Sequence, residues 1–203
     1  MSEQWVPLDV ADVDADPFVQ FHRWFDEAQP LVREREAIAL ATVGADGMPH
    51  QRMVLLRDVN ADGFGWFTNY DSTKGRDLAA HAQAALLWYC EPLGRQIRIE
   101  GTVSSTSAAE SDAYYASRPR GHQIGAHASN QSQRLSSRAE LEDRVRELTE
   151  QFDGHEIPRP PHWGGYRLRP VRFEFWQHRS DRLHDRVIYE PSATGWERFR
   201  TSP

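Results

Sequence analysis

Cysteine is almost missing from this chain: Cys90 is the only one among 203 residues. An intrachain disulfide and a cysteine metal cage are thereby excluded. Cys90 lies in the apolar run Ala84-Ala85-Leu86-Leu87-Trp88-Tyr89-Cys90, where it reads as a buried, inert thiol in a protein of the reducing cytoplasm. Lysine is equally scarce. Lys74 is the single lysine among 24 basic residues, so arginine serves almost everywhere that a cation is wanted. No stretch approaches the roughly 18 consecutive apolar residues of a membrane span. The start, Met1-Ser2-Glu3-Gln4-Trp5, has neither a basic run nor an apolar core, so neither secretion nor insertion is expected. A basic surplus is missing too. The formal charge of −6 argues against a nucleic-acid or anionic-membrane partner and leaves a small-molecule site as the better expectation. The glycine-rich dinucleotide fingerprint, the P-loop and the Gly-x-Ser-x-Gly elbow are all absent. His178, Asp181, His184 and Asp185 cluster in sequence, but their spacing fits no familiar metal site, and no metal is expected.

The length suits a single domain over residues 16–203, preceded by an acidic, weakly apolar segment, residues 1–15, expected to be flexible. Asp16-Pro17 reads as an N-cap with proline at the first helical position, and Phe18, Phe21, Trp24, Phe25, Ala28 and Leu31 follow at helical spacing. Strands are predicted over 37–43, 52–57, 64–68, 84–91 and 96–104, with turns at Gly44-Ala45-Asp46-Gly47 and Asn60-Ala61-Asp62-Gly63. Ser72 can cap a short helix through Leu78. Ser107-x-x-Glu110 and Ser137-x-x-Glu140 match capping boxes. The first opens a helix to about Ala116 that Arg118-Pro119 stops, with a loop beyond it. The second opens a helix whose stripe of Leu141, Val145, Leu148 and Phe152 is expected in the core. Four more strand segments follow at 166–168, 171–176, 186–189 and 196–199. Many short sequential strands with inserted helices indicate an α+β, mainly antiparallel sheet curled into a barrel with peripheral helices.

Polar candidates for chemistry are spread along this pattern, and their contexts occur in a fixed order. They are Arg52-Met53-Val54-Leu55-Leu56-Arg57, then Trp66-Phe67-Thr68-Asn69 with Ser72-Thr73-Lys74-Gly75, and then Ser117-Arg118-Pro119-Arg120. Asn130-Gln131-Ser132, Glu174-Phe175-Trp176-Gln177 and Arg182-Leu183-His184-Asp185-Arg186 complete the series. Together these motifs resemble the pyridoxamine (pyridoxine) 5′-phosphate oxidase family from about Ile38 to the end of the chain.

The resemblance implies a split β-barrel homodimer with FMN in the cleft between two subunits. It implies that Arg52 through Arg57 line the flavin, that Arg52, Thr68 and Lys74 meet its phosphate, and that Gln96, Gln131 and Ser132 bond its polar atoms. Phe67 and Thr73 belong to the same cofactor set, and Trp176 and Arg186 would close it; Trp176 also reads as a core aromatic. On the substrate side it implies Tyr114, Arg118 and His122 near a phosphate, Arg182 and His184 against a pyridine ring and catalytic, and Arg57 and Leu183 as further substrate-binding residues. The implied reaction passes a hydride equivalent from the substrate's 4′ carbon to flavin N5, after which oxygen reoxidises the flavin and leaves hydrogen peroxide. Several positions depart from the family pattern. Arg57 replaces a usual lysine, Thr73 a common arginine, and His122 a small hydroxyl residue. Glu34-Arg35-Glu36-Ala37-Ile38 has lost a proline, no Arg-x-x-Tyr lid motif is found, and the ending Arg200-Thr201-Ser202-Pro203 lacks a leucine. Most of these departures fall on the substrate side. An oxidase of another small aromatic molecule, of the phenazine-precursor type, and a flavin or pyridoxal phosphate carrier without turnover are the alternative readings.

Overall fold

The computed structural model describes residues 5–203, and the elements below are those of the described residues. Asp16 accepts a hydrogen bond from the Phe18 amide at 2.8 Å and opens helix α1, Pro17–Glu27. The helix ends before Pro30, so Leu31, expected on its apolar stripe, is instead half exposed. Strands β1 (Ala37–Val43), β2 (Pro49–Leu55), β3 (Asp58–Asn60) and β4 (Gly63–Asn69) follow, then α2 (Thr73–Ala80), capped by Ser72. β5 (Gln83–Cys90) and β6 (Arg95–Ser105) precede three helices, α3 (Ala108–Ser117), α4 (Arg120–Ala128) and α5 (Arg138–Gln151). The chain closes with β7 (Trp163–Gln177), β8 (Asp185–Ser192) and β9 (Gly195–Arg200).

All neighbouring strands are antiparallel, in the order β2-β1-β5-β6-β7-β4-β3, with β8 and β9 added beside β7. Only two residues separate the path ends β2 and β3: the Leu56 amide still bonds the Glu36 carbonyl beside β1 at 2.8 Å while the Arg57 amide bonds the Gly65 carbonyl of β4 at 2.9 Å, so the sheet curls into a split barrel. β7 is one 15-residue strand where two were predicted. Pro170 interrupts the sequence pattern but not the strand, because a register shift at Glu100/Gly101 on β6 sets the proline, which has no N–H, opposite Gly101.

Alternation puts Ile38, Leu40, Leu86, Trp88, Ile97, Ile99, Phe173 and Phe175 inside. α1 stoppers this core: Phe21 meets Phe64 edge-on at 4.9 Å, and Trp24 meets Phe175 at 5.2 Å. A smaller cluster of Tyr115, Ile124, Ile157 and Trp163 sits outside the barrel under α3 and α4.

Two expectations are corrected. The stretch after Pro119, read as a loop, is α4; Gly121 and Gly125 hide it in the sequence, and burial of Ile124 and Ala128 outweighs their poor propensity. The α5 stripe is not core: no α5 residue is buried, and only Leu148, with Phe152 just beyond the helix, leans on the smaller cluster. Within the segment expected to be flexible, residues 5–15 form no helix or strand yet are tied down, with Leu8 and Val13 buried, while Met1–Gln4 lie outside the described residues. The Leu8 amide bonds Asp185, the Tyr189 hydroxyl bonds the Asp14 carbonyl, and Arg198 bonds that of Val13.

Gly75 lets α2 lie directly on the chain leaving β4: a Cβ there would fall on the Tyr70 carbonyl, well inside van der Waals contact. Gly75→Ala must therefore push α2 and its neighbour Lys74 outward. The expected result is a fall in Tm of about 5 °C, from overpacking of a few kcal/mol in a domain of this size, read by thermal denaturation; an unchanged Tm would contradict the close approach.

Candidate active site

Lys74 is in the first turn of α2, where the chain turns back after β4. The residue is 8% exposed, and its ammonium donates to Gln131 Oε1 at 2.8 Å, Thr68 Oγ1 at 3.0 Å and Ser72 Oγ at 3.2 Å. All three acceptors are neutral. Burial, and then the charge of Arg52, lowers the Lys74 pKa to about 8.

Arg52 lies one layer below, donating to the Leu40 carbonyl and to Thr42 Oγ1 and standing 3.5 Å from the buried carboxylate of Asp77. Asp77 also accepts from Thr42 at 2.6 Å and pairs with His50 Nδ1 at 2.9 Å. Burial pushes its pKa up, but the bonds from Thr42 and His50 and the Arg52 charge outweigh that and hold the carboxyl below its ordinary value.

A cavity of about 780 Å³ opens from Lys74 toward α3 and α4, within the size range of cofactor and ligand sites. Met53, Val54 and Leu55 of β2 form one wall, and Phe67, Tyr114 and Trp163 form another. Phe67 and Tyr114 stack at 3.9 Å, and Phe67 and Trp163 at 5.6 Å. Arg57, Lys74, Arg118 and His122 all line the cavity, and among the described residues no aspartate or glutamate does. Arg118 lies over the Trp163 ring at 4.6 Å, and its buried Nη1 has no hydrogen-bond partner among the described residues. Burial, with a smaller contribution from Arg57, lowers its pKa. A buried ammonium and a half-buried guanidinium without carboxylates are a receptor for anions, and a cavity lined by aliphatic and aromatic side chains suits a flat ring. The residues present fit a flavin phosphate held by Lys74, Thr68 and Gln131.

The motif residues fall into two sets. Met53, Val54, Leu55, Arg57, Phe67, Thr68, Lys74, Tyr114, Arg118, His122 and Gln131 are brought together around the cavity. Arg52, Leu56, Thr73 and Ser132 do not line it: Leu56 is turned into the core, Arg52 is held by Thr42, and Thr73 is the first residue of α2. Ser132 follows Gln131 with φ 68°.

Gln96, Trp176 and Arg186 form a cross-strand row on β6, β7 and β8, with His184, Leu183 and Arg182 just beyond it. Trp176 ends the same strand that Trp163 begins, so roughly 40 Å of strand separates the two sets at about 3.3 Å per residue. Here the His184 ring lies 4.6 Å from Trp176, and His184 Nδ1 accepts the Arg179 amide at 3.2 Å. Burial, then the charges of His178, Arg186 and Arg182, lower the His184 pKa. With Nδ1 accepting the Arg179 amide, the neutral ring carries its proton on Nε2. Arg186 bonds the buried Glu174 at 2.9 Å.

Trp163 and the Asp77 network are site features the sequence reading missed. The Trp163-Gly164-Gly165 sequence was the available signal for the first, whereas Asp77 differs from a solvated helix residue only through its tertiary partners.

Residues 25–152 match the family model for pyridoxamine 5′-phosphate oxidase, and residues 163–203 match that for the pyridoxine 5′-phosphate oxidase C-terminal dimerisation region. A pyridoxine/pyridoxamine 5′-phosphate oxidase of Burkholderia orbicola is 56% identical over 200 residues, covering 97% of this chain and 93% of the relative. Its counterpart in Cupriavidus metallidurans is 54% identical over 198 residues, with the same coverage. Among solved structures, PhzG from Burkholderia lata, in complex with tetrahydrophenazine-1-carboxylic acid, superposes with a TM-score of 0.90 at 33% identity, covering 98% of this chain and 99% of that one. A Nostoc punctiforme FMN-binding protein shares the fold at a TM-score of 0.70 and 18% identity, over 90% of this chain and 95% of its own. With both family models and relatives above half identity over nearly its whole length, this split-barrel chain belongs to the pyridoxamine 5′-phosphate oxidase family of FMN-dependent oxidases.

Proposed function

We propose that the chain oxidises pyridoxine 5′-phosphate and pyridoxamine 5′-phosphate to pyridoxal 5′-phosphate, with oxygen as the final acceptor, as a homodimer with FMN at the subunit interface. The observation that carries this reading is the carboxylate-free cavity in which Arg57 and the unpartnered Arg118 converge, a receptor suited to a dianionic phosphate. Relatives at 54–56% identity bear the name of that activity. FMN, when bound, would supply the acceptor for the hydride equivalent leaving the 4′ carbon and pass the electron pair to oxygen, giving hydrogen peroxide; the alcohol loses its hydroxyl proton to become the aldehyde, and the amine becomes an imine that water hydrolyses to the aldehyde and ammonia. In this reading Lys74, Thr68 and Gln131 hold the flavin phosphate, while Arg118, Arg57, Tyr114 and His122 hold that of the substrate. Neutral His184 offers an Nε2–H to the substrate, and Arg182, charged at every working pH, stacks on the pyridine.

The second set cannot reach the cavity of its own chain along some 40 Å of strand. A two-fold partner brings it there. Both Trp176 and the 182–186 motif fall within the matched dimerisation region, and Met53, Leu55, Leu87 and Tyr89 leave an apolar patch exposed on the outer face of β2 and β5. Met53 and Leu87 pair with Ala39 from either side, so the patch is continuous. A second reading, oxidation of a phenazine-type carboxylic acid, is favoured by the fit to PhzG and by the Phe67–Tyr114–Trp163 wall. The primary test is peroxide and aldehyde formation by the FMN-loaded protein. Turnover of the two phosphates is expected, and turnover only of an aromatic carboxylic acid would replace the first reading with the second.

Loss of Lys74 in Lys74→Ala is expected to weaken FMN about 10- to 100-fold, the range of a charge-assisted hydrogen bond, by flavin fluorescence titration. Because the free protein's Lys74 titrates near pH 8 and the phosphate is already a dianion, FMN affinity should be level below pH 8 and fall about tenfold per unit just above it. A flat profile to about pH 9.5 would remove Lys74 from the phosphate. For the shared site, Arg118→Ala and Arg182→Ala proteins, each nearly inactive, are mixed and allowed to re-form dimers. Random pairing makes half the dimers mixed, each with one intact site, so about a quarter of native activity should return. No recovery, with exchange verified by mass, would place both residues in one chain's site.

A further inference from the structure

We propose that Trp163 is the positioning residue for Arg118, holding the guanidinium by its ring face so that all of its N–H donors remain free for the substrate's phosphate. This rests on the assignment of Arg118 to that phosphate. An arginine in a protein interior is ordinarily aimed by a carboxylate, which fixes its direction but occupies its fork and cancels its charge. Among the described residues no carboxylate lines this cavity. Arg118 instead sits 4.6 Å from the Trp163 ring centroid and 5.9 Å from that of Tyr115. A ring face attracts a cation without accepting a hydrogen bond in the fork plane, and the attraction grows as water is excluded. Arg57 approaches the same space with like charge, so an unheld Arg118 would swing away from it toward water.

The ring itself is clamped. Trp163 is 6% exposed and opens β7 opposite Asn69, and its carbonyl accepts Arg159 Nη1 at 2.6 Å. Phe67 stacks against it with planes 12° apart, and Tyr115 meets it edge-on at 5.2 Å. Arg118 is fixed at its backbone as well: it caps α3, its amide bonds the Tyr115 carbonyl at 3.1 Å, and Pro119 holds it extended. Backbone and ring together leave the guanidinium little freedom.

The test is a double-mutant cycle on the FMN-loaded protein, with pyridoxal 5′-phosphate as the probe, its dissociation constant read by calorimetry and that of FMN by fluorescence. Trp163→Leu is expected to weaken the probe about tenfold, the scale of a desolvated cation–π contact, and to change FMN affinity less than about twofold. In an Arg118→Ala background the same change should cost nothing further. Trp163→Phe keeps a weaker ring in place and is expected to lose about threefold, again only while Arg118 is present; it carries the test where Trp163→Leu fails to fold. Equal losses with and without Arg118, or a matching loss of FMN affinity, would overturn the proposal. If Arg118→Ala alone leaves the probe's affinity intact, the assignment of Arg118 to the phosphate fails instead.

Discussion

Positive charge taken out of water without a negative partner is the constraint around which this structure is arranged. Buried Lys74, half-buried Arg118 and the more exposed Arg57 face one cavity that, among the described residues, no carboxylate lines, and a cation taken out of water ordinarily loses its proton or acquires a counter-ion. The fold meets the difficulty differently at each position. Lys74 is surrounded by three neutral oxygens, which solvate the ammonium without cancelling it, and the remaining strain surfaces as a pKa near 8. Arg118 rests on an aromatic face. The carboxylate nearest to Arg52, Asp77, is kept a layer back, against Arg52, Thr42 and His50. It tempers the field without competing with a bound phosphate. A site so built loses stability in the free protein and recovers it when an anion binds, which links folding stability to loading with ligand.

The curled sheet decides what such a site can be made from. Strand β7 carries Trp163 at one end and Trp176 at the other, and the helices that close the cavity all lie at the Trp163 end. Residues at the Trp176 end are assembled as carefully as those in the cavity. Gln96, Trp176 and Arg186 are in register, Glu174 is buried under Arg186, and His184 is fixed by tautomer. Neither set has an independent structural reason to be so polar. In the proposed homodimer, a two-fold axis through the exposed face of β2 and β5 would join them with no further element, each copy supplying what the other lacks.

What the sequence made legible follows from where the determining contacts lie. Asp16, Ser72, Ser107 and Ser137 each cap the helix expected of them, since a cap is a bond over two or three residues. The strands were legible through alternation. α4 was not, because its glycines argue against helix while Ile124 and Ala128 win through contacts outside the local sequence. The α5 stripe has the right period and the wrong surroundings: Val145 stays exposed and no α5 residue is buried. In the site, ordered motifs named most cavity residues, but spacing alone carries no distance. It could not separate the Lys74 set from the Arg182 set, place Arg52 a layer down, or find Trp163, whose importance lies in a ring beneath an arginine 45 positions earlier.

The segment before α1 shows how the second set is held ready. Asp181 and Arg182 both have positive φ, 58° and 61°, which costs a non-glycine residue about 1–2 kcal/mol each. Such a conformation persists only if its surroundings over-determine it. They do so through Arg179, whose amide bonds His184 Nδ1 and whose side chain reaches Asp185 at 3.5 Å and the Trp5 carbonyl at 3.0 Å. Asp185 in turn takes the Leu8 amide at 3.1 Å and Arg200 at 2.6 Å, and the Trp5 ring lies against His178. An acidic stretch expected to be flexible thus straps the 178–185 loop from outside, and the backbone strain is met before any ligand arrives. If Arg182 and His184 meet the substrate as proposed, they need not be ordered by it, and the binding energy of its phosphate is left for orienting the ring.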